Sequence, residues 1–105
     1  MKNFNDLEFG RHRAVGGGIH ARMDLADDME ISVVAGPNLY NDEGTYEIAV
    51  FDNLSDGALM HISTEDDVIG WQDEDEINTI MESIQTDPKT FRERCLQNKR
   101  DRDDY

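Results

Sequence analysis

The sequence predicts an α+β domain: an antiparallel four-stranded meander sheet packed by one C-terminal helix, with a short second helix after it. Three observations lead to this fold class. Apolar and polar residues alternate with the two-residue period of strands in several segments between residues 19 and 62. From residue 73 onward the apolar spacing becomes that of a helix. Turns rich in glycine, asparagine and aspartate separate these segments.

Four segments are predicted as strands, at residues 19–23, 29–35, 45–51 and 58–62. The first two are separated by a short polar turn, which favours an antiparallel hairpin. In the third, Tyr46, Ile48 and Val50 share one face, while Ala49 and Phe51 point to the other. The clear alternation of this segment makes it the strongest strand prediction in the chain.

The predicted first helix has both a start signal and an apolar stripe. Asp73 can cap its N terminus, and Glu76 three residues later completes a capping box. The stripe has helical spacing and consists of Ile77, Ile80, Met81 and Ile84. Asp87 followed by Pro88 is a second start signal, so a short second helix is expected there.

The chain length of 105 residues fits a single domain. We expect residues 1–18 to form an N-terminal arm, residues 19–98 the domain, and residues 99–105 a flexible tail. Cys95 is the only cysteine, which excludes an internal disulfide. We expect it to pack as a small apolar side chain. Residues 1–10 have no apolar signal-peptide core, and no apolar run reaches membrane-spanning length, so a cytoplasmic protein is expected.

Charge is the dominant compositional feature, with a formal net charge of −14. Residues 23–88 contain no lysine or arginine but 18 aspartates and glutamates. Such a surface repels nucleic-acid phosphate and anionic membranes, so neither is expected as a direct partner. A basic protein surface is the expected partner, with an encounter steered by electrostatics. The alternative is that the charge serves only solubility or reflects a salt-loving host.

Catalytic and metal-binding motifs are not found in the sequence. His12, His20 and His61 lack zinc-ligand spacing, and the acidic clusters lack the spacing of a calcium-binding loop. We therefore expect no enzyme activity, no catalytic residue, no metal and no cofactor. The competing hypothesis is a small hydrolase or nuclease that uses clustered carboxylates and a divalent metal.

Two groups of residues are predicted to contact a partner. The first is an acidic cluster made of Asp66, Asp67, Asp73, Glu74, Asp75 and Glu76. The second is a loop contact made of Tyr40, Asp42 and Glu43. Both have ordinary structural alternatives: acidic residues favour the first turn of any helix, and Tyr40 could fold back onto the sheet edge. Trp71 is interpreted as a core plug in preference to a ligand platform.

Five segments give the chain a resemblance to a known group of proteins. In order they are Asn5-Asp6-Leu7-x-Phe9, Gly17-Gly18-Ile19-His20-Ala21, Ser32-Val33-Val34-x-Gly36-Pro37, Gly44-Thr45-Tyr46-Glu47-Ile48-Ala49-Val50 and Asp67-Val68-Ile69-Gly70-Trp71. The chain resembles a family of small acidic proteins encoded by tailed bacteriophages. The resemblance covers about residues 4–84, and residues 85–105 extend beyond it. It implies a phage origin and an infected bacterial cytoplasm, and it transfers no functional residue.

The charge and the implied phage origin together lead to one functional expectation. We expect an acidic phage protein that binds and inhibits a basic host nucleic-acid-binding protein, such as a restriction, CRISPR or transcription component. Its mechanism would be DNA mimicry, in which carboxylates occupy a channel whose lysines and arginines normally neutralise phosphate. The alternative is a homo-oligomeric structural or accessory phage protein, for instance a homodimer paired through exposed strand edges.

Overall fold

The computed structural model describes residues 1–103. After a 3-10 turn at Phe4–Asp6, the strands follow in chain order: β1 (Gly10–Arg11), β2 (Ile19–Asp24), β3 (Met29–Ala35), β4 (Tyr46–Asp52), β5 (Ala58–Leu59) and β6 (Ile69–Gln72). Two helices come last, α1 (Glu74–Thr86) and α2 (Pro88–Asp103). The predicted α+β class is confirmed.

The six strands form one antiparallel sheet, so the predicted number of four strands is wrong. The order is β1-β2-β3-β4-β5, with β6 also paired to β4. The meander from β2 to β5 is as predicted, but β5 is only two residues long and covers one end of β4, where Phe51 pairs with Leu59. The other end of β4 is therefore open to β6, and Tyr46 pairs there with Gln72.

One face of the sheet and the apolar stripe of α1 form the core. The fully buried side chains of this core are Met29, Ile31, Val33, Ile48, Val50, Ile77, Met81 and Ile84. Burying each of them contributes about 1.5–3 kcal/mol, so this face fixes the register of the sheet. The stripe predicted for α1 is confirmed, with Ile80 packed at its margin.

The opposite face of the sheet carries polar side chains. Arg22 on β2 forms an ion pair with Glu30 on β3, with 2.8 Å between Nη2 and Oε1. The Arg22 guanidinium also lies 4.5 Å from the ring centroid of Phe51 on β4. This cross-strand cluster stabilises the face that the helices leave uncovered.

Both ends of the described range, residues 1–103, contact the rest of the domain, as in the hydrogen bond from Arg102 Nη2 to the Ser63 carbonyl oxygen at 2.9 Å. Phe4 and Leu7 in the predicted arm are buried in the core, and the Phe4 backbone N–H donates to Asn78 Oδ1 at 2.7 Å. At the other end α2 continues through residues 99–103, which were predicted to belong to a tail. The last two residues of that predicted tail lie outside the described residues. Neither helix of residues 1–103 has the length and apolar character needed to cross a membrane.

Candidate functional site

Two exposed aromatic side chains, Tyr40 and Trp71, pack against each other in a tilted arrangement at the β6 edge of the sheet. Their ring centroids are 5.6 Å apart and their planes are inclined by 32°. Tyr40 is 52% exposed and Trp71 is 54% exposed. The interpretation of Trp71 as a core plug is therefore wrong. The Trp71 backbone explains its position, because its φ of +54° lies in the left-handed region and differs from that of a regular strand.

Close backbone contacts hold this aromatic pair in place. The Trp71 N–H donates to the Tyr40 carbonyl oxygen at 2.8 Å, and the Tyr40 N–H donates to Glu47 Oε2 at 3.1 Å. A Cβ atom added to Gly70 would lie 2.4 Å from Tyr40 Cβ and 2.7 Å from the Tyr40 carbonyl oxygen. Only glycine allows so close an approach, so Gly70 permits the Tyr40 loop to lie against β6.

A groove of about 480 Å³ lies beside these two rings. We call it the aromatic groove; it is lined by Tyr40, Trp71, residues 63–66 and residues 68–70. Two carboxylates, Glu65 and Asp66, belong to this lining, and no lysine or arginine does. The structure thus brings two of the predicted contact residues, Tyr40 and Asp66, into one site.

The acidic loop of the aromatic groove is ordered by Ser63. Its Oγ accepts hydrogen bonds from the backbone N–H groups of Glu65 and Asp66, each at 3.0 Å, and donates to the Asp66 carbonyl oxygen at 3.0 Å. This local arrangement turns the chain tightly between β5 and β6. Both residues remain exposed, although one oxygen of Asp66, Oδ1, also accepts from the Asp67 N–H at 2.7 Å.

Asp67, the next residue, has a different environment. Its Oδ1 lies 2.7 Å from Arg102 Nη1 on α2, so the two residues form an ion pair. The geometry of this contact is not that of a hydrogen bond. The same oxygen lies 3.7 Å from His61 Nε2. The Asp67 side chain is only 27% exposed, so its charge is largely compensated inside the domain. It is therefore a structural carboxylate and a weak candidate for partner contact.

The four predicted contact residues at the start of α1 divide into two kinds. Asp73 and Glu76 form the predicted capping box: Asp73 Oδ1 accepts from the Glu76 N–H at 2.8 Å, and Glu76 Oε1 accepts from the Asp73 N–H at 3.3 Å. Glu74 and Asp75 lie exposed in the first turn, and neither forms an ion pair within residues 1–103. The capping pair therefore has a structural role that the other two lack.

The second predicted contact lies in the loop between β3 and β4. Asp42 and Glu43 are exposed, and they follow Tyr40 by two and three residues. The Asp42 backbone is fixed by Thr45, whose Oγ1 accepts from the Asp42 N–H at 2.7 Å. Neither carboxylate is paired with a cation in the described part of the chain. They extend the acidic surface from Tyr40 along this loop.

Ion pairing across residues 1–103 is concentrated near the basic residues of α2 and β2. Of the 18 carboxylates in residues 23–88, four are paired with lysine or arginine: Asp27, Glu30, Asp52 and Asp67. Arg92 holds two of these, with 2.9 Å between its Nη2 and Asp52 Oδ1 and a shorter contact to Asp27. The hydrogen bond from Arg92 lowers the pKa of Asp52 below 3.8. The remaining fourteen carboxylates have no such partner among the described residues.

Three other hollows lie against α2, and each has a cation in its lining. Those of about 430 Å³ and about 320 Å³ include Arg94, the first together with Glu82 and Asp87. The third, of about 390 Å³, includes Arg92 and Lys99 together with Asp52. Of these four hollows, only the aromatic groove is lined by carboxylates without a lysine or arginine.

Two observations concern the side chains that could bind a metal ion or act as a nucleophile. Within residues 1–103, no three histidine, cysteine, aspartate or glutamate side chains converge on a point where a metal ion could bind. Cys95 is buried against the core, as predicted, and burial raises the pKa of its thiol to about 11. A thiol with so high a pKa carries little of the nucleophilic thiolate at neutral pH.

Comparison with known proteins adds no functional information. No protein-family model matches the chain, and neither a curated protein nor a solved structure is significantly similar to it. The resemblance to phage proteins stays a prediction, and the function has to be argued from the charges and the geometry described above.

Proposed function

We propose that this protein is a phage-encoded acidic binding protein that attaches to a basic surface of a host nucleic-acid-binding protein and inhibits it by DNA mimicry. One observation carries the proposal: fourteen carboxylates of the cation-free span have no lysine or arginine partner among residues 1–103. An unpaired anionic surface attracts the lysines and arginines that otherwise neutralise phosphate.

The acidic surface around the aromatic groove is the proposed contact region. Tyr40, Glu65, Asp66 and Trp71 line the groove. Four exposed carboxylates of the predicted set follow Tyr40 or Trp71 within four residues along the chain and are included: Asp42, Glu43, Glu74 and Asp75. Asp67 is left out because Arg102 compensates its charge. Asp73 and Glu76 are left out because their carboxylates hydrogen-bond the helix N terminus. What remains combines accessible carboxylates with exposed aromatic area, a composition that suits a protein interface.

The net charge also bears on the alternative of a homo-oligomeric phage protein. Each copy carries a formal net charge of −14 over the whole chain. Repulsion between like-charged copies opposes their association and does not oppose binding to a basic partner. Light scattering distinguishes the two, since a stable homo-oligomer that forms without a host partner would favour the alternative.

A displacement assay tests the proposal. Purified basic nucleic-acid-binding proteins from a bacterial host are loaded with a fluorescent DNA duplex, and this protein is added at low and at high salt. We expect it to displace DNA from at least one of them, with a binding constant that weakens steeply as salt increases. Displacement that is insensitive to salt, or direct binding of this protein to the DNA, would contradict the proposal.

Charge reversal locates the contact. The double variant Glu74→Lys with Asp75→Lys should reduce displacement about tenfold or more, since it inverts two accessible charges at the start of α1. The matched control is Glu82→Lys with Glu93→Lys, which changes the net charge equally at two exposed positions on the helices. Circular dichroism checks that both variants fold. Equal losses in the two would show that net charge acts without a localised site.

A further inference from the structure

Trp71 is the strongest indication of a specific ligand in the molecule. A bulky residue at a φ of +54° is strained by about 1–3 kcal/mol. Tyr40 and Trp71 lie outside the buried core cluster and the side chains packed against it. The chain therefore accepts this strain although the Trp71 ring lies at the surface, where it contributes little buried apolar area to stability. Residues held in such conformations cluster at binding sites.

The chain already contains one example of the chemistry that such a ring supports. On the open face of the sheet, the Arg22 guanidinium lies 4.5 Å from the ring centroid of Phe51 while it pairs with Glu30. A ring face, a carboxylate and an arginine thus form one cluster. The aromatic groove contains the ring faces and the carboxylates but no arginine in its lining. A cation bound in this groove would therefore come from another molecule.

We propose that the aromatic groove binds an arginine side chain from an extended basic segment of the partner. The guanidinium lies against the Trp71 and Tyr40 rings and donates hydrogen bonds to the carboxylates of Glu65 and Asp66. Arginine fits better than lysine because its planar guanidinium can stack on a ring and hydrogen-bond a carboxylate through its edge at the same time. This inference rests on the proposed function and specifies the residue type that the acidic surface recognises.

The single tryptophan of the chain allows the groove to be observed directly. Selective excitation of tryptophan in the full-length protein reports on Trp71 alone. A fluorescein-labelled arginine nonamer, a lysine nonamer and an uncharged glycine-serine nonamer are titrated at low salt. Peptide anisotropy measures binding anywhere on the protein, and Trp71 emission, followed with unlabelled peptides, measures contact at the groove. We expect Trp71 emission to change with the arginine peptide and to saturate in parallel with anisotropy.

Three variants give the quantitative test. Trp71→Ala should weaken binding of the arginine peptide by about five- to thirtyfold, since a desolvated cation–π contact is lost. Trp71→Phe should recover part of that loss, because the phenyl ring retains a face for stacking. Leu96→Ala removes an exposed apolar side chain beside the cation-lined hollow and should leave binding unchanged. Circular dichroism establishes that each variant is folded.

The possible outcomes separate the groove from the general function. If the arginine peptide binds by anisotropy but leaves Trp71 emission and the affinity of Trp71→Ala unchanged, the groove proposal is wrong and the acidic-surface proposal stands. Equal affinities and equal Trp71→Ala losses for arginine and lysine would also overturn it, because the site would recognise charge alone. If neither basic peptide binds at low salt, both proposals fail.

Discussion

Asp66 and Asp67 are neighbours in the chain but belong to different regions of the molecule. Asp67 faces α2, where Arg102 approaches its carboxylate, and His61 from the segment after β5 lies near the same oxygen. Asp66 is exposed in the aromatic groove, whose lining contains no lysine or arginine. The basic residues of α2 therefore neutralise one side of the acidic body and leave the other side charged. High negative charge by itself does not define a binding surface; the unequal distribution of counter-charges does.

The largest expected effect on stability comes from removing Arg92, which joins Asp27 and Asp52 in a group that we call the Arg92 clasp. Arg92 donates to Asp52 at 2.9 Å and 3.3 Å and also contacts Asp27, and its side chain is only 19% exposed. Arg92→Ala should lower the free energy of unfolding by about 2 kcal/mol, because it leaves a partly buried carboxylate without a partner. Urea denaturation measures this. The control Arg94→Ala removes an exposed cation of the same helix and should have a much smaller effect; equal losses would contradict the account.

Cys95 provides a second measure of how firmly α2 packs on the sheet. Burial raises the pKa of its thiol from 9.0 to about 11, which lowers the thiolate fraction near pH 8 by about 100-fold. The thiolate of a high-pKa thiol is also more nucleophilic, which offsets part of this loss, so disulfide-exchange labelling should be at least about tenfold slower in the native protein than in urea. Rapid labelling of the native protein would show that α2 opens easily and that its cations are not fixed.

The Asp52 carboxylate predicts how the clasp depends on pH. Its pKa in the folded protein is lowered below 3.8, chiefly by the Arg92 hydrogen bond. A depressed pKa means that the stabilisation is present above 3.8 and is lost as the pH falls through the folded value. The stability difference between the wild-type protein and Asp52→Asn should accordingly shrink on acidification below 3.8. A difference that stays constant down to pH 2 would show that the charge of Asp52 does not stabilise the clasp.

The capping box at α1 should have a smaller effect. Asp73→Ala removes the acceptor of the Glu76 N–H and should cost about 1 kcal/mol of stability. Glu74→Ala, one residue later, removes an exposed carboxylate with no ion pair in residues 1–103 and should leave the unfolding midpoint nearly unchanged. If both variants unfold at the same denaturant concentration, the division of the acidic residues 73–76 into a structural pair and an accessible pair is wrong.

Local patterns in the sequence were sufficient to predict β2, β3, β4 and α1, whereas α2, the longest element with 16 residues, was wrongly predicted to be short. Alternation identified β2, β3 and β4, and the buried residues of β3 and β4 repeat every second position. The Asp73 and Glu76 pair located the start of α1, since a capping box depends on residues only three positions apart. The same reasoning placed the start of α2, where Asp87 Oδ1 accepts from the Thr90 N–H at 3.1 Å.

Long-range contacts explain what the sequence could not predict. β1 has only two residues. β6 is short and depends on a partner far back along the chain, as in the pairing of Ile48 with Ile69. The exposure of Trp71 follows from a left-handed φ and from the Tyr40 loop packed on Gly70. Composition alone favours burial of a tryptophan. The ion pair between Asp67 and Arg102 spans 35 positions, so charge counting could not separate Asp67 from Asp66.

Paired measurements on Asp66→Asn and Asp67→Asn test the central claim most directly, because the two variants have the same net charge and differ by one position. Each is unfolded in urea and titrated with the labelled arginine nonamer. We predict that Asp67→Asn lowers the unfolding free energy by about 1 kcal/mol with little change in peptide affinity. Asp66→Asn should preserve stability and weaken binding severalfold. Identical behaviour of the two variants in both measurements would contradict the distinction between a neutralised and an accessible side of this protein.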